Sequence, residues 1–213
     1  MRNPWLCVKD FEQSISNYTG SRYVVTVDSC TNAIFLSLKF LKKSINKDTV
    51  VKIPSRTYIS VPMQIINAGY KLSFEDYDWV GDYRLKNTPI IDSAQYFNKN
   101  MYRPNTFMCL SFQFKKHLPI GRGGAILTDN TEAYNWLIKA RHDGRNMYEQ
   151  YGSIDNVDMI GYHCPLLPNE ALKGQELLLN TNLTENKYFL KITIGIKTIK
   201  KNTKFRIMAS NII

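Results

Sequence analysis

Apolar residues follow two rhythms along the chain. Short β-branched runs alternate with longer stretches in which apolar side chains recur every three to four positions, the signature of strands alternating with helices. Residues 10–18 read as a helix stopped by Thr19-Gly20, and 23–27 (Tyr-Val-Val-Thr-Val) as a buried strand. A helix over 32–43 carries Ile34, Leu38 and Leu41 on one face. The strand at 50–53 is closed by Pro54, and the helix at 61–67 ends at Ala68-Gly69. Strands follow at 71–74, 89–91, 107–112 and, after a glycine-rich turn, 123–128; helices at 132–141 and 169–178 complete the series. This order predicts an α/β fold with a mostly parallel central sheet flanked by helices. No internal repeat is visible.

The rhythm stops near residue 178, which divides the chain into a body (1–178) and a tail (179–213). The tail holds seven Ile and seven Lys or Arg against one Glu, with no clear amphipathic period, although 191–199 alternates as a strand could. It reads as an abnormal C-terminus of the truncation or frameshift kind.

Length and charge narrow the classes. At 213 residues the chain has room for one sizeable domain. No apolar run reaches membrane-spanning length, and Met1-Arg2-Asn3-Pro4-Trp5 lacks a signal core, so the expected setting is the cytoplasm, without membrane. Four cysteines without a Cys-x-x-Cys pair suit a reducing compartment, and three scattered histidines offer no zinc set, so no metal is expected. The net charge of +10 invites a nucleic-acid reading, but the tail carries most of it and the body has no block of like charge. Nucleic acid is not an expected partner of the body.

Four constellations stand at predicted strand ends, where open α/β sheets gather ligands. Ser29-Cys30-Thr31 opens a helix, whose free N–H groups and dipole suit a phosphate; Ser29 or Thr31 also suits a plain helix cap. A cysteine there also permits a thiol nucleophile, with no histidine assignable beside it. Asp92-Ser93-Ala94-Gln95 puts a carboxylate at a buried strand end, where it needs a partner: a protonated ring nitrogen, an arginine or a backbone N–H. Ser111 to Lys116, then Gly121-Arg122-Gly123-Gly124, places lysines just beyond a strand. Desolvation there would lower an amine pKa toward Schiff-base chemistry, whereas a lysine pair is otherwise ordinary solvated surface. Tyr58, after Pro54-Ser55-Arg56-Thr57, could stack on a flat ring or simply pack.

Taken in order, these segments resemble the DegT/DnrJ/StrS family of sugar aminotransferases, which have the aspartate-aminotransferase fold (fold type I) and use pyridoxal 5'-phosphate (PLP). The anchors are Phe11-Glu12, Tyr18-Thr19-Gly20, Asp28-Ser29-Cys30-Thr31-Asn32-Ala33, Ile53-Pro54-Ser55-Arg56-Thr57-Tyr58 and Ala68-Gly69 with Phe74-Glu75-Asp76. Asp92-Ser93-Ala94-Gln95, the stretch from Ser111 to Gly124, Arg141-His142-Asp143-Gly144-Arg145, and Gly161-Tyr162 with Gly174 complete them. The resemblance implies that Lys116 is the Schiff-base lysine, with Lys115 one position out of register, and that Asp92 pairs with the pyridinium nitrogen. It implies that Gln95 bonds near the ring's phenolic oxygen, that Tyr58 stacks on the ring, and that Cys30, Thr31 and Ser111 hold the phosphate.

Glutamate as amino donor, a nucleotide-linked keto-sugar as acceptor, amino-sugar or polysaccharide biosynthesis as setting, and a homodimer also follow from the resemblance. Some branches with histidine at the lysine position dehydrate instead; His117 stands one position too late for that. The family's small C-terminal domain has only the tail in its place, and His163 stands where an asparagine often reaches the neighbouring subunit. The alternative is a non-catalytic family member, a remnant or a partner subunit.

Overall fold

The computed structural model describes residues 3–46, 48–149 and 157–180. The elements run α1 (Leu6–Thr19), β1 (Tyr23–Val27), α2 (Cys30–Leu41), β2 (Val50–Pro54), α3 (Ser60–Asn67), β3 (Lys71–Glu75) and β4 (Tyr83–Arg84). They continue with β5 (Ile90–Asp92), β6 (Phe107–Ser111), β7 (Gly124–Thr128), α4 (Thr131–Ala140) and α5 (Pro168–Asn180). Local chemistry sets the helix ends. Gly20, at φ +77°, takes the left-handed position that closes α1, donating to the Ser16 carbonyl at 2.9 Å. Ser29 caps α2 by accepting from the Asn32 N–H at 3.2 Å, and Asn130 caps α4 by accepting from Ala133 at 2.9 Å.

Five strands pair in the order β1-β7-β6-β5-β4, and β2 pairs with β3. A two-bond bridge between Lys52 and Lys86 joins the blocks, giving a continuous order β1-β7-β6-β5-β4-β2-β3. The sheet is mixed rather than mostly parallel. β5–β6 and β2–β3 are parallel, while β7 returns antiparallel between β1 and β6, and β4 folds back on β5 as a tight hairpin. The hairpin was not foreseen, because β4 has two residues and no period to read.

Alternation along the strands sorts the core into two layers. Val25, Val27, Ile90, Cys109 and Ile126 face the side packed with residues of α2, α3 and α4. Val24, Ile91, Met108, Leu110 and Leu127 face the side packed with residues of α1 and α5. Ile34, Leu38 and Leu41 are buried as their spacing predicted. Each such fully buried aliphatic contributes roughly 1.5–3 kcal/mol of transfer free energy. α5 runs on to Asn180; the rest of the tail, with the strand expected at 191–199, lies outside the described residues. Among the described residues no helix is long and apolar enough to cross a membrane.

Candidate active site

Strand direction brings the chemistry to one edge. β1, β5 and β6 point the same way, so Val27, Asp92 and Ser111 end at a common edge. The antiparallel strands β4 and β7 begin there: Tyr83 stands opposite Asp92, and Gly124 opposite both Val27 and Ser111. The Lys52–Lys86 bridge runs β2 parallel to β5, so Pro54 and the loop to Tyr58 open on the same edge. All four constellations singled out from the sequence therefore converge.

Asp92 is buried, with 5% of its surface exposed. Its Oδ1 accepts from the Ala94 N–H at 3.0 Å and its Oδ2 from the Tyr83 hydroxyl at 2.9 Å. The Cys30 thiol lies 4.0 Å from Oδ1. None of the described lysines or arginines forms an ion pair with this carboxylate. Burial pushes its pKa up; the Ala94 and Tyr83 bonds and the charge of Lys116 pull the other way. A buried carboxylate served by neutral donors, with no ion pair among the described residues, is poised to receive a positively charged N–H.

Lys116 stands at the tip of a closed loop. The Phe112 N–H donates to Gly123 at 2.9 Å, Gly121 donates back to Phe112 at 3.0 Å, and the Lys116 N–H donates to the Gln113 carbonyl at 2.8 Å. Its side chain is half-buried, and desolvation lowers its amine pKa while Cys30 and Asp92 oppose the shift. Lys115 is exposed, its ammonium 5.4 Å from the Phe114 ring centre. The structure therefore separates the two lysines that the sequence presents side by side.

Burial and Asp92 raise the Cys30 thiol well above its ordinary range, which disfavours a thiolate there. The α2 N-terminus lies tight against β7: a Cβ on Gly124 would sit 2.5 Å from the Cys30 nitrogen, so only glycine admits this approach. Thr31 shares a 2.8 Å hydroxyl bond with Ser60, tying the turn to α3. Ser111 ends β6 half-buried opposite Gly124, and Gln95 is likewise half-buried just past Asp92. Tyr58 is 72% exposed, a free aromatic face at the rim. His117 accepts the Phe97 N–H on Nδ1 at 3.0 Å and, with its pKa lowered by burial, keeps a neutral ring. That bond holds the segment after Gln95 against the lysine loop.

Two site features escaped the sequence. Tyr83 lies in the unforeseen hairpin, and no local signal marks it. Asp28, at the end of β1, accepts from Ser29 at 3.0 Å and from Asn32 at 2.7 Å, and pairs with Arg122 at 2.9 Å. This staples the glycine turn to the α2 N-terminus; the charges in Asp28-Ser29 and Gly121-Arg122-Gly123 were its only hint.

Residues 6–84 match the model of the DegT/DnrJ/EryC1/StrS aminotransferase family, as the sequence resemblance anticipated. The fold is shared with fold type I PLP enzymes. The sugar aminotransferase CalS13 from Micromonospora echinospora superposes with a TM-score of 0.69 at 17% identity, over 82% of this chain and 60% of that one. 3-Amino-5-hydroxybenzoic acid synthase gives 0.67 at 18%, over 81% and 55%. GDP-4-keto-6-deoxymannose-3-dehydratase, solved with a trapped PLP-glutamate geminal diamine, gives 0.62 at 19%, over 81% and 60%. The chain thus spans less than two thirds of these neighbours' length. A search of curated protein sequences gives no match.

Proposed function

We propose that the edge formed by Asp92, Lys116 and the α2 N-terminus binds pyridoxal 5'-phosphate and that the chain acts in amino transfer from glutamate to a nucleotide-linked keto-sugar. The observation that carries this reading is Asp92, a buried carboxylate whose bonds, from the Ala94 N–H, the Tyr83 hydroxyl and the Cys30 thiol, all come from neutral donors and which forms no ion pair among the described residues. A protonated pyridine nitrogen supplies the missing charge. Bound there, the cofactor provides an electron sink for the substrate's α-electrons.

The chain's own groups divide the remaining work. The lowered pKa of Lys116 increases the neutral amine near pH 7, which can attack a carbonyl and afterwards take and return a proton. The N-terminus of α2, with Thr31, opens on the edge where a phosphate would sit; Ser111, at the end of β6, is the other holder. Tyr58 offers its exposed ring for stacking and Gln95 an amide for the ring oxygen. Lysine, not histidine, at the loop tip favours amino transfer over dehydration. Exposed Tyr58, Ile59, Met63 and Phe114 near this edge support pairing with a second copy.

The test is visible absorption of the purified chain after adding PLP, with Lys116→Ala beside it. The expected result is a band that requires Lys116 and bleaches on adding glutamate. A lysine-dependent band indifferent to glutamate would leave a binding site without the first half-reaction. No lysine-dependent band at all would refute the cofactor assignment.

A further inference from the structure

Tyr83 and Asp92 are direct partners in the β4–β5 register, so the hairpin sets a phenol beside the carboxylate on one face of the sheet. Tyr83 is 4% exposed and donates its only hydroxyl proton to Asp92 Oδ2. The short bond between the Tyr83 and Thr57 hydroxyls must then run from Thr57 to the phenol oxygen. The Tyr83 ring packs 4.7 Å from Trp79, whose indole N–H donates to the Arg56 carbonyl at 2.7 Å. Arg56 is in turn held by Asp76 at 3.1 Å and Asp78 at 3.0 Å. A continuous chain of bonds therefore links the loop that carries Tyr58 to one oxygen of Asp92.

We propose that Tyr83 is a positioning residue: it holds Oδ2 so that Asp92 keeps its charge and presents Oδ1 to the cofactor nitrogen, while Thr57 relays the same anchor to the Tyr58 loop. The proposal rests on the PLP reading above. The phenol is a donor only: burial and Asp92 together hold its own pKa well above the ordinary range, so the proton stays on oxygen. The Thr57 bond acts in the opposite sense, making the phenol a better donor to the carboxylate.

Tyr83→Phe removes the hydroxyl and keeps the ring against Trp79; Thr57→Val weakens the phenol one step back. Two measurements separate the proposal from the reading beneath it. The first is the carboxyl-carbon NMR titration of Asp92 in the protein without cofactor, assigned with Asp92→Asn. Tyr83→Phe should raise the midpoint by about one pH unit, and Thr57→Val by less. The second is PLP titration, in which Tyr83→Phe should weaken binding about tenfold while the band still depends on Lys116. An unchanged Asp92 midpoint in a folded Tyr83→Phe protein would overturn the positioning role whatever PLP does. A shifted midpoint in a chain whose wild type gives no Lys116-dependent band would instead remove the cofactor reading, and this role with it.

Discussion

Two buried carboxylates in this molecule make opposite use of their burial. Glu12, on α1, is fully served: Oε1 accepts from the Thr26 N–H at 2.7 Å, from the Thr26 hydroxyl at 2.8 Å and from Arg141, and Oε2 accepts from Tyr148 at 2.6 Å. Arg141, with no exposed surface, also donates to the Thr26 carbonyl at 2.7 Å and to Tyr148 at 2.6 Å. Asp92 is as deeply buried and has only neutral donors, the Ala94 N–H, the Tyr83 hydroxyl and the more distant Cys30 thiol, with no ion pair among the described residues. A closed network of this kind ties α1, β1 and the segment after α4 into one unit and engages both oxygens of the carboxylate. An open one leaves electrostatic demand that a ligand can meet. Burial alone does not mark function; the count of partners around the charge does.

The largest expected effect lies on the closed side. Glu12→Gln keeps the shape but leaves a buried guanidinium facing an amide, and breaking a buried pair from one side costs about 3–5 kcal/mol. For a domain of this size that is a fall in melting temperature of about 10 °C. A loss below ~1 kcal/mol in chemical denaturation would mean that solvent reaches Arg141, and the contrast with Asp92 would lose its structural half.

Asp92→Asn should behave in the reverse way, abolishing tight PLP binding while leaving stability unchanged or raised by up to about 1 kcal/mol at pH 7. The pH dependence gives the sharper check. Burial raises the folded pKa of Asp92 above its unfolded value, so the folded state takes up this proton more readily. The ionised group therefore costs stability above its folded pKa, and the cost fades as pH falls through it. The stability gap between Asp92→Asn and wild type should be widest near neutrality and narrow on acidification toward pH 4. Denaturation curves at several pH values read this directly. A gap that grew with acid would mean that Asp92 is stabilised in its charged form, and the two carboxylates would then be alike.

The same contrast explains how much could be read in advance. Asp92 and Lys116 could be singled out as candidates because each follows a recognisable strand, and the family resemblance then set each beside a second marker: Gln95 in one case, Gly121 in the other. The helix faces and six of the strands were legible because periodicity is a local property. Strand direction was not: β7 lies antiparallel between β1 and β6 for reasons of packing that no run of residues displays. Tyr83 was hidden in a two-residue strand whose meaning comes from its register with Asp92. The Glu12–Arg141 pair joins residues 129 apart in sequence, and only the fold brings them together.

The smallest expected effect tests the site side at its finest grain. Lys115 and Lys116 are adjacent, share one loop and carry the same charge. The turn fixed by Gln113 sends them to different surroundings, with the Lys115 N–H held by the Gln113 side chain at 3.1 Å and the Lys116 N–H by its carbonyl at 2.8 Å. Lys116 reaches the region of Cys30 and Asp92, where desolvation lowers its pKa, while Lys115 lies in solvent over Phe114. Lys115→Ala should change stability by less than about 0.5 kcal/mol and leave the PLP band intact. A band that followed Lys115 instead would show that the loop presents the other amine, and the partial burial of Lys116 would then be packing rather than preparation for chemistry.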